Sequence, residues 1–204
     1  VQNGTKEIIL SGINTGTYGK DLNEMSLAKL ITLIMENTTI YRVRISSIEL
    51  MEITDELLNV CKKYSDRIAN HFHIPAQGGC DSVLERMHRK YRTNEYKTTV
   101  NKIRIMFDNV SITTDFLAGF VGETVDEFED AKKFIQEIGY SDMHIFPYSR
   151  RKGTEADLMK GHLNPTVQKE RTHELLEIAK KMKNEYESKF IGKKVEVLVE
   201  NIKQ

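Results

Sequence analysis

Short apolar runs recur along this chain about every 30 to 40 residues, and each is cut off by a turn former or a polar residue. Lys6-Glu7-Ile8-Ile9-Leu10-Ser11 stops at Gly12, and Tyr41-Arg42-Val43-Arg44-Ile45-Ser46 alternates apolar and basic residues. Ala69–Ile74 stops at Pro75, Val110–Asp115 is β-branched and alternating, and Asp142–Phe146 ends at Pro147. Period-two runs of this length predict five strands. Helical spacing fills the gaps. Leu27, Leu30, Ile31 and Ile34 share a face behind Ser26 as N-cap, and Leu57, Leu58 and Cys61 share one behind Thr54. Val83, Leu84 and Met87 follow Asp81, and a less regular pattern runs from about Glu95 to Ile105. Thr124 and Glu127 form a capping box ahead of Phe128, Ala131, Ile135 and Ile138, with Gly139 as a left-handed stop.

Strand–helix alternation at this spacing predicts parallel βαβ units, open or closed into a barrel, with functional groups in the loops after the strands' C-terminal ends. After Phe146 the texture changes. Pro147–Leu163 reads as a charged, Gly-containing loop, and Asn164-Pro165 opens a long helix with an apolar stripe of Leu175, Ile178, Ala179, Met182 and Tyr186. Gly192 is expected to end that helix, and Lys193–Glu200 to form a last strand.

Composition narrows the class. The chain has 204 residues, with 30 Lys+Arg against 30 Asp+Glu, so it is no strongly basic nucleic-acid clamp. Charge is unevenly spread, however: 13 basic and 9 acidic residues lie from His144 to Gln204, against 17 and 21 before it. Two cysteines make no disulfide scaffold and suit a reducing compartment, which the expectation of a cytoplasmic protein follows. No apolar run approaches the roughly 20 residues that span a membrane, and no signal peptide is visible. The absence of an initiator Met suggests a piece of something longer.

The expected loops carry the candidate chemistry. Gly12–Gly19 holds three glycines in eight residues, allowing close backbone approach to a ligand. Ser46, Ser47 and Glu49 follow the second strand, offering hydroxyls and a carboxylate to a ribose or ammonium group. His71 and His73 share a strand face, but no third metal ligand has readable spacing, so two hydrogen-bonded histidines are expected. Gln77 precedes Gly78-Gly79 and brings a donor and an acceptor to an open loop. Thr114–Thr124 resembles a nucleotide-binding turn without being a Walker loop or a G-x-G-x-x-G fingerprint. Tyr148, Arg150 and Arg151 put an aromatic beside cations suited to phosphate.

Taken in order, five segments resemble the radical S-adenosylmethionine methylthiotransferases that modify tRNA, most of all the branch acting on threonylcarbamoyladenosine. They are Ser11–Gly19, Arg44–Glu49, His71–Leu84, Thr113–Thr124 and Phe146–Thr154. The resemblance implies an α/β fold: a partial (β/α)6 barrel lacking its first strand over residues 1–190, then the start of an RNA-binding TRAM domain over 191–204. It implies S-adenosylmethionine and 4Fe-4S clusters in the full-length protein. The family's C-x-x-x-C-x-x-C loop has no counterpart here, since Cys61 and Cys80 stand 19 residues apart; neither a metal site nor an active catalyst is expected of the chain alone. Leu50, Val121 and Glu155 stand where many relatives have proline, and Ala76 and Gly78 replace the usual Leu and Ser.

By the same resemblance, Gly12, Asn14, Thr15 and Gly16 approach the methionine end of the cofactor, and Ser46, Ser47, Gln77 and Asp115 supply polar contacts. Gly119, Gly122 and Glu123 lie near adenine, and Tyr148, Arg150 and Arg151 meet substrate RNA. A ribosomal-protein methylthiotransferase of the same family and a cluster-free barrel used as a binding scaffold are the alternatives. The edge beside Glu7–Ser11 is expected to be bare and to invite an edge-strand dimer.

Overall fold

The computed structural model describes residues 3–22 and 24–199. All five expected strands are present: β1 (Glu7–Leu10), β2 (Arg42–Ile45), β3 (His71–His73), β4 (Ser111–Ala118) and β5 (Asp142–Pro147). The helices are α1 (Leu27–Asn37), α2 (Asp55–Lys63), α3 (Asp81–Arg86), α4 (Thr93–Met106), α5 (Val125–Ile138), α6 (Glu155–Leu158) and α7 (Pro165–Ser188). Where Ser, Thr or Asn precedes the helix, its side chain caps the start. Ser26 Oγ accepts the Lys29 N–H at 3.1 Å, Thr54 Oγ1 the Leu57 N–H at 3.2 Å and Asn164 Oδ1 the Thr166 N–H at 2.8 Å. Each cap satisfies a donor the helix itself leaves orphaned, at a typical gain of about 1 kcal/mol.

Every strand pair is parallel, β1 with β2 and β3 with β4 and β5. Between β2 and β3 the ladder is reduced to single bridges, Val43 with Ile68 and Ser47 with His73, so the strands run in chain order around a bent sheet. Right-handed crossovers between strands in unbroken order put all the helices on one side. This is the winding of a barrel sector, not of a doubly wound sheet. Among the described residues, β1 has β2 as its only partner, and Ile9 is 59% exposed on it.

That winding explains β4, whose residues alternate between half-buried and buried over its whole length. Ile112, Thr114, Phe116 and Ala118 face the helices, within a core that includes Ile31, Val43, Leu58, Tyr96, Phe134, Ile135 and Leu175. Fully burying a side chain such as Phe116 contributes about 1.5–3 kcal/mol. Thr113, Asp115 and Leu117 point the other way, onto a concave face. Register puts Asp142, His144 and Phe146 beside them.

Three expectations need correction at the C-terminal end. Residues 147–163 are not all loop, because Thr154 Oγ1 accepts the Asp157 N–H and starts α6. The long helix ends at Ser188, before Gly192, and the chain continues through tight turns in which Gly192 has φ +76°. Residues 193–199 form no strand, while Glu200 lies outside the described residues. A strand needs a neighbour for its backbone donors and acceptors, and among the described residues no backbone hydrogen bond joins the segment to the sheet, although Glu196 reaches Tyr41 and Arg42.

Candidate functional site

The loops after β1 to β5 gather at one end of the sheet, as parallel winding requires. Gly12 and Asn14 are exposed there, and Thr15 is buried. The Thr15 and Ser46 hydroxyls share a hydrogen bond of 3.2 Å, which ties the first loop to the second. A Cβ on Gly16 would stand 2.2 Å from Glu52 Cβ and 3.1 Å from Ile48 Cγ1, so this glycine lets the first loop seat on the Leu50–Glu52 turn. Ser47 is exposed and bridges to His73. Glu49 pairs with Arg89 at 3.2 Å across the loops, a pairing the sequence did not signal because the partners lie 40 residues apart.

Gln77 is the most constrained of the candidates. Its φ is +58°, a left-handed conformation that costs a non-glycine residue roughly 1–2 kcal/mol. β4 holds it there: Gln77 N–H donates to Asp115 O at 2.9 Å, and Leu117 N–H donates to Gln77 O at 3.0 Å. His88 has φ +55°, and both residues line one cleft of about 400 Å³, together with Arg86, Arg89 and Leu117. Strained residues sharing a cleft are a mark of ligand sites. A neighbouring cleft of about 580 Å³, lined by Phe146, Tyr148 and Arg151, shares Leu117, Thr154 and Ala156 with the first. The two make a continuous depression over the ends of β3, β4 and β5.

The turn after β4 is held from behind by α7. Gly119 (φ +71°) leaves room for Gln168, whose Nε2 donates to Gly119 O at 3.1 Å, and Gly122 N–H donates to Gly161 O at 2.9 Å. Glu123 is 5% exposed and faces Arg171, whose Nη1 lies 2.6 Å from its Oε2. Burial pushes the Glu123 carboxyl up, and Arg171 opposes that. Its carboxylate is therefore occupied within the protein, away from the clefts.

In the last loop, Tyr148 packs edge-on against Phe120 and stacks on His162, with its hydroxyl buried and unpartnered among the described residues. Arg150 is engaged by Asp157, which it holds below the usual carboxylate range. Arg151 is exposed beside the larger cleft. The two strand histidines behave as expected: His71 Nε2 and His73 Nδ1 lie 2.9 and 2.8 Å from the one Thr113 hydroxyl. Burial, then the Arg44 and His73 charges, pull His71 down to about 4. Sequence reasoning missed that His73 also meets Asp115 and His144, because residues from three separate strands come together only through register.

A partial barrel with these loops is matched by the sequence profile of the radical SAM superfamily over residues 1–135. The chain belongs to that superfamily. It is 40% identical over 201 residues to the threonylcarbamoyladenosine tRNA methylthiotransferase MtaB of Bacillus subtilis, covering 98% of this chain and 44% of the relative. MtaB of Thermotoga maritima is 40% identical over 200 residues, covering 98% and 46%. The tRNA-2-methylthio-N(6)-dimethylallyladenosine synthase of Clostridium tetani is 36% identical over 201 residues, covering 98% and 44%. The chain thus spans less than half the length of these curated relatives. Among solved structures, the fold resembles coproporphyrinogen III oxidase HemN of Escherichia coli, a radical SAM enzyme. The TM-score is 0.66 at 17% identity, over 87% of this chain and 40% of that one. It also resembles the radical S-adenosylmethionine methyltransferase TsrM of Kitasatospora setae, with a TM-score of 0.57 at 10% identity over 74% and 27%.

The superfamily's two cofactors fit this chain differently. Strained Gln77, the paired Glu49 and Arg89 and the open depression suit a polar small molecule with charged ends. The iron–sulfur cluster does not fit. It needs cysteine thiolates, and the chain's two cysteines lie apart, with burial pushing the Cys61 thiol up to about 12. No helix among the described residues is long and apolar enough to cross a membrane.

Proposed function

We propose that this chain is most of the radical core of a tRNA methylthiotransferase that places a methylthio group on C2 of N6-threonylcarbamoyladenosine beside the anticodon. The observation that carries this reading is 40% identity to two MtaB enzymes over 98% of the chain. The dimethylallyladenosine enzymes, at 33–36% for six of them, support a second reading with the other adenosine as substrate. Both readings take tRNA, which favours them over a ribosomal-protein substrate or a binding scaffold.

S-adenosylmethionine, when bound, supplies the radical chemistry and the methyl group. This chain's residues then hold and orient it. Gly12, Asn14, Thr15 and Gly16 shape the first loop, and Ser46 and Ser47 present hydroxyls beside it. Gln77 offers an amide fixed by its strained backbone, and Asp115 a carboxylate on the concave face. The Gly119–Glu123 turn, braced by α7, makes the wall for adenine. On the open side, Tyr148 and Arg151 line the larger cleft and meet tRNA, with Arg150 bracing the loop through Asp157. Residues 1–190 form the core and 191–204 begin a TRAM domain, in a cytoplasmic protein. The bare β1 edge permits an edge-strand dimer of the chain alone.

The test uses the full-length protein that contains this chain, reconstituted with iron and sulfide without oxygen and given tRNA bearing either modified adenosine. Nucleoside mass spectrometry is expected to show the methylthio product of threonylcarbamoyladenosine. Methylthiolation of dimethylallyladenosine alone overturns the substrate, and product from neither overturns the activity.

A further inference from the structure

We propose that His73, Asp115 and His144 form a site for a divalent first-row transition metal, zinc foremost, on the concave face of the sheet. The three residues come from β3, β4 and β5, and their ligand atoms lie within 4.8 Å of one another. Asp115 Oδ1 is 3.4 Å from His73 Nε2 and 3.2 Å from His144 Nδ1. The His144–Asp115 contact is also at hydrogen-bond distance, whereas the His73–Asp115 separation is longer than the roughly 2.7–3.2 Å of an N–H···O bond. Around a tetrahedral zinc with bonds of about 2.0–2.1 Å, adjacent ligand atoms stand about 3.3–3.4 Å apart; the two Asp115 separations, 3.4 and 3.2 Å, lie close to that, and the two histidine nitrogens are within 4.8 Å of each other.

The surroundings agree with this role. Thr113 Oγ1 lies 2.8 Å from His73 Nδ1, which orients the ring and leaves Nε2 for the ion. Metal-bound histidines carry such an outer partner on the second nitrogen. Two imidazoles and one carboxylate suit zinc, iron(II), cobalt or nickel and disfavour calcium and magnesium, which take oxygen ligands. The His73 side chain is 11% exposed and that of His144 65%, so the ion is rooted in the sheet but reached from solvent. Three protein ligands leave a fourth position open on the concave face for water or an incoming donor. The site stands on this geometry; the function proposed above gives the same Asp115 carboxylate to S-adenosylmethionine, so the two uses compete for it, and the metal is tested with the cofactor absent.

The experiment titrates the metal-stripped chain with cobalt(II), reading its visible d–d absorption, and then displaces cobalt with zinc. One equivalent is expected, with a tetrahedral cobalt spectrum. His144→Ala and Asp115→Asn are each expected to weaken binding at least tenfold. Cys80→Ser and His173→Ala, the latter on the exposed face of α7, are expected to leave it unchanged. Circular dichroism checks folding. If Asp115→Asn fails to fold, His144→Ala decides, since its side chain is largely exposed. Absence of stoichiometric binding, equal affinity in His144→Ala, or loss of binding in either control overturns the proposal.

Discussion

Glu127 shows how much one side chain can do and how little of that is local. Its Oε2 accepts the Thr124 N–H at 2.8 Å, closing the capping box that its spacing from Thr124 announces. The same carboxylate receives both Nη atoms of Arg86 at 2.8 Å, from a helix 41 residues away. Arg86 first, then Ser82 and the Thr124 amide, hold its carboxyl down at about 2, against burial. The folded state therefore keeps Glu127 ionised below its ordinary value of 4.5, and the unfolded chain takes up the proton first as pH falls. Stability from this group is full above about 4.5 and is lost as pH drops towards about 2. Urea unfolding of the wild type and of Glu127→Gln over that range is expected to show a steeper acid loss in the wild type. Equal slopes contradict the assignment. The cap was readable because it is three residues long; the Arg86 partner was not, because nothing in the spacing says that α3 and α5 are neighbours.

At the scale of elements, the decisive joint is between α7 and the turn after β4. The helix itself was legible from Asn164-Pro165 and its apolar stripe. Its docking was not, since Gln168 and Arg171 look like ordinary surface residues until they meet Gly119 and Glu123. Both members of the Glu123–Arg171 pair are almost fully buried, at 3% and 8% side-chain exposure, and the guanidinium lies 4.9 Å from the Phe128 ring centroid. Removing one partner strands a buried charge, at a cost of about 3–5 kcal/mol. Arg171→Met is expected to destabilise the chain by that amount. The double variant Glu123→Gln with Arg171→Met should recover most of it, because no charge is then left buried. A double-mutant cycle in urea measures the coupling, and additive losses contradict a coupled pair. The turn read as a nucleotide-binding loop is thus shaped partly from behind: Gly119 is there as much for Gln168 as for any ligand.

For the whole molecule, the consequence concerns what the chain does by itself. With two separated cysteines it is expected to assemble no four-iron cluster when given iron and sulfide without oxygen. Without such a cluster, S-adenosylmethionine keeps only hydrogen bonds worth about 0.5–1.5 kcal/mol each. Calorimetry is therefore expected to find binding no tighter than roughly millimolar, about −4 kcal/mol, weakened further by Gln77→Ala. Micromolar binding, or a stoichiometric cluster on Cys61 or Cys80, contradicts this. Periodicity, caps and stops determined five strands, the main helices and their order from the sequence alone, because these depend on neighbours a few residues away. Parallel winding followed from the alternation, and with it the end of the sheet where the loops gather. Tertiary structure alone decided the rest. It set which face of β4 is concave, which loop glycines serve packing, that residues 193–199 find no strand partner, and that His73, Asp115 and His144 converge. Those outcomes depend on strand register and helix docking, where residues far apart in the chain meet, and a single sequence carries no period that reports such distances.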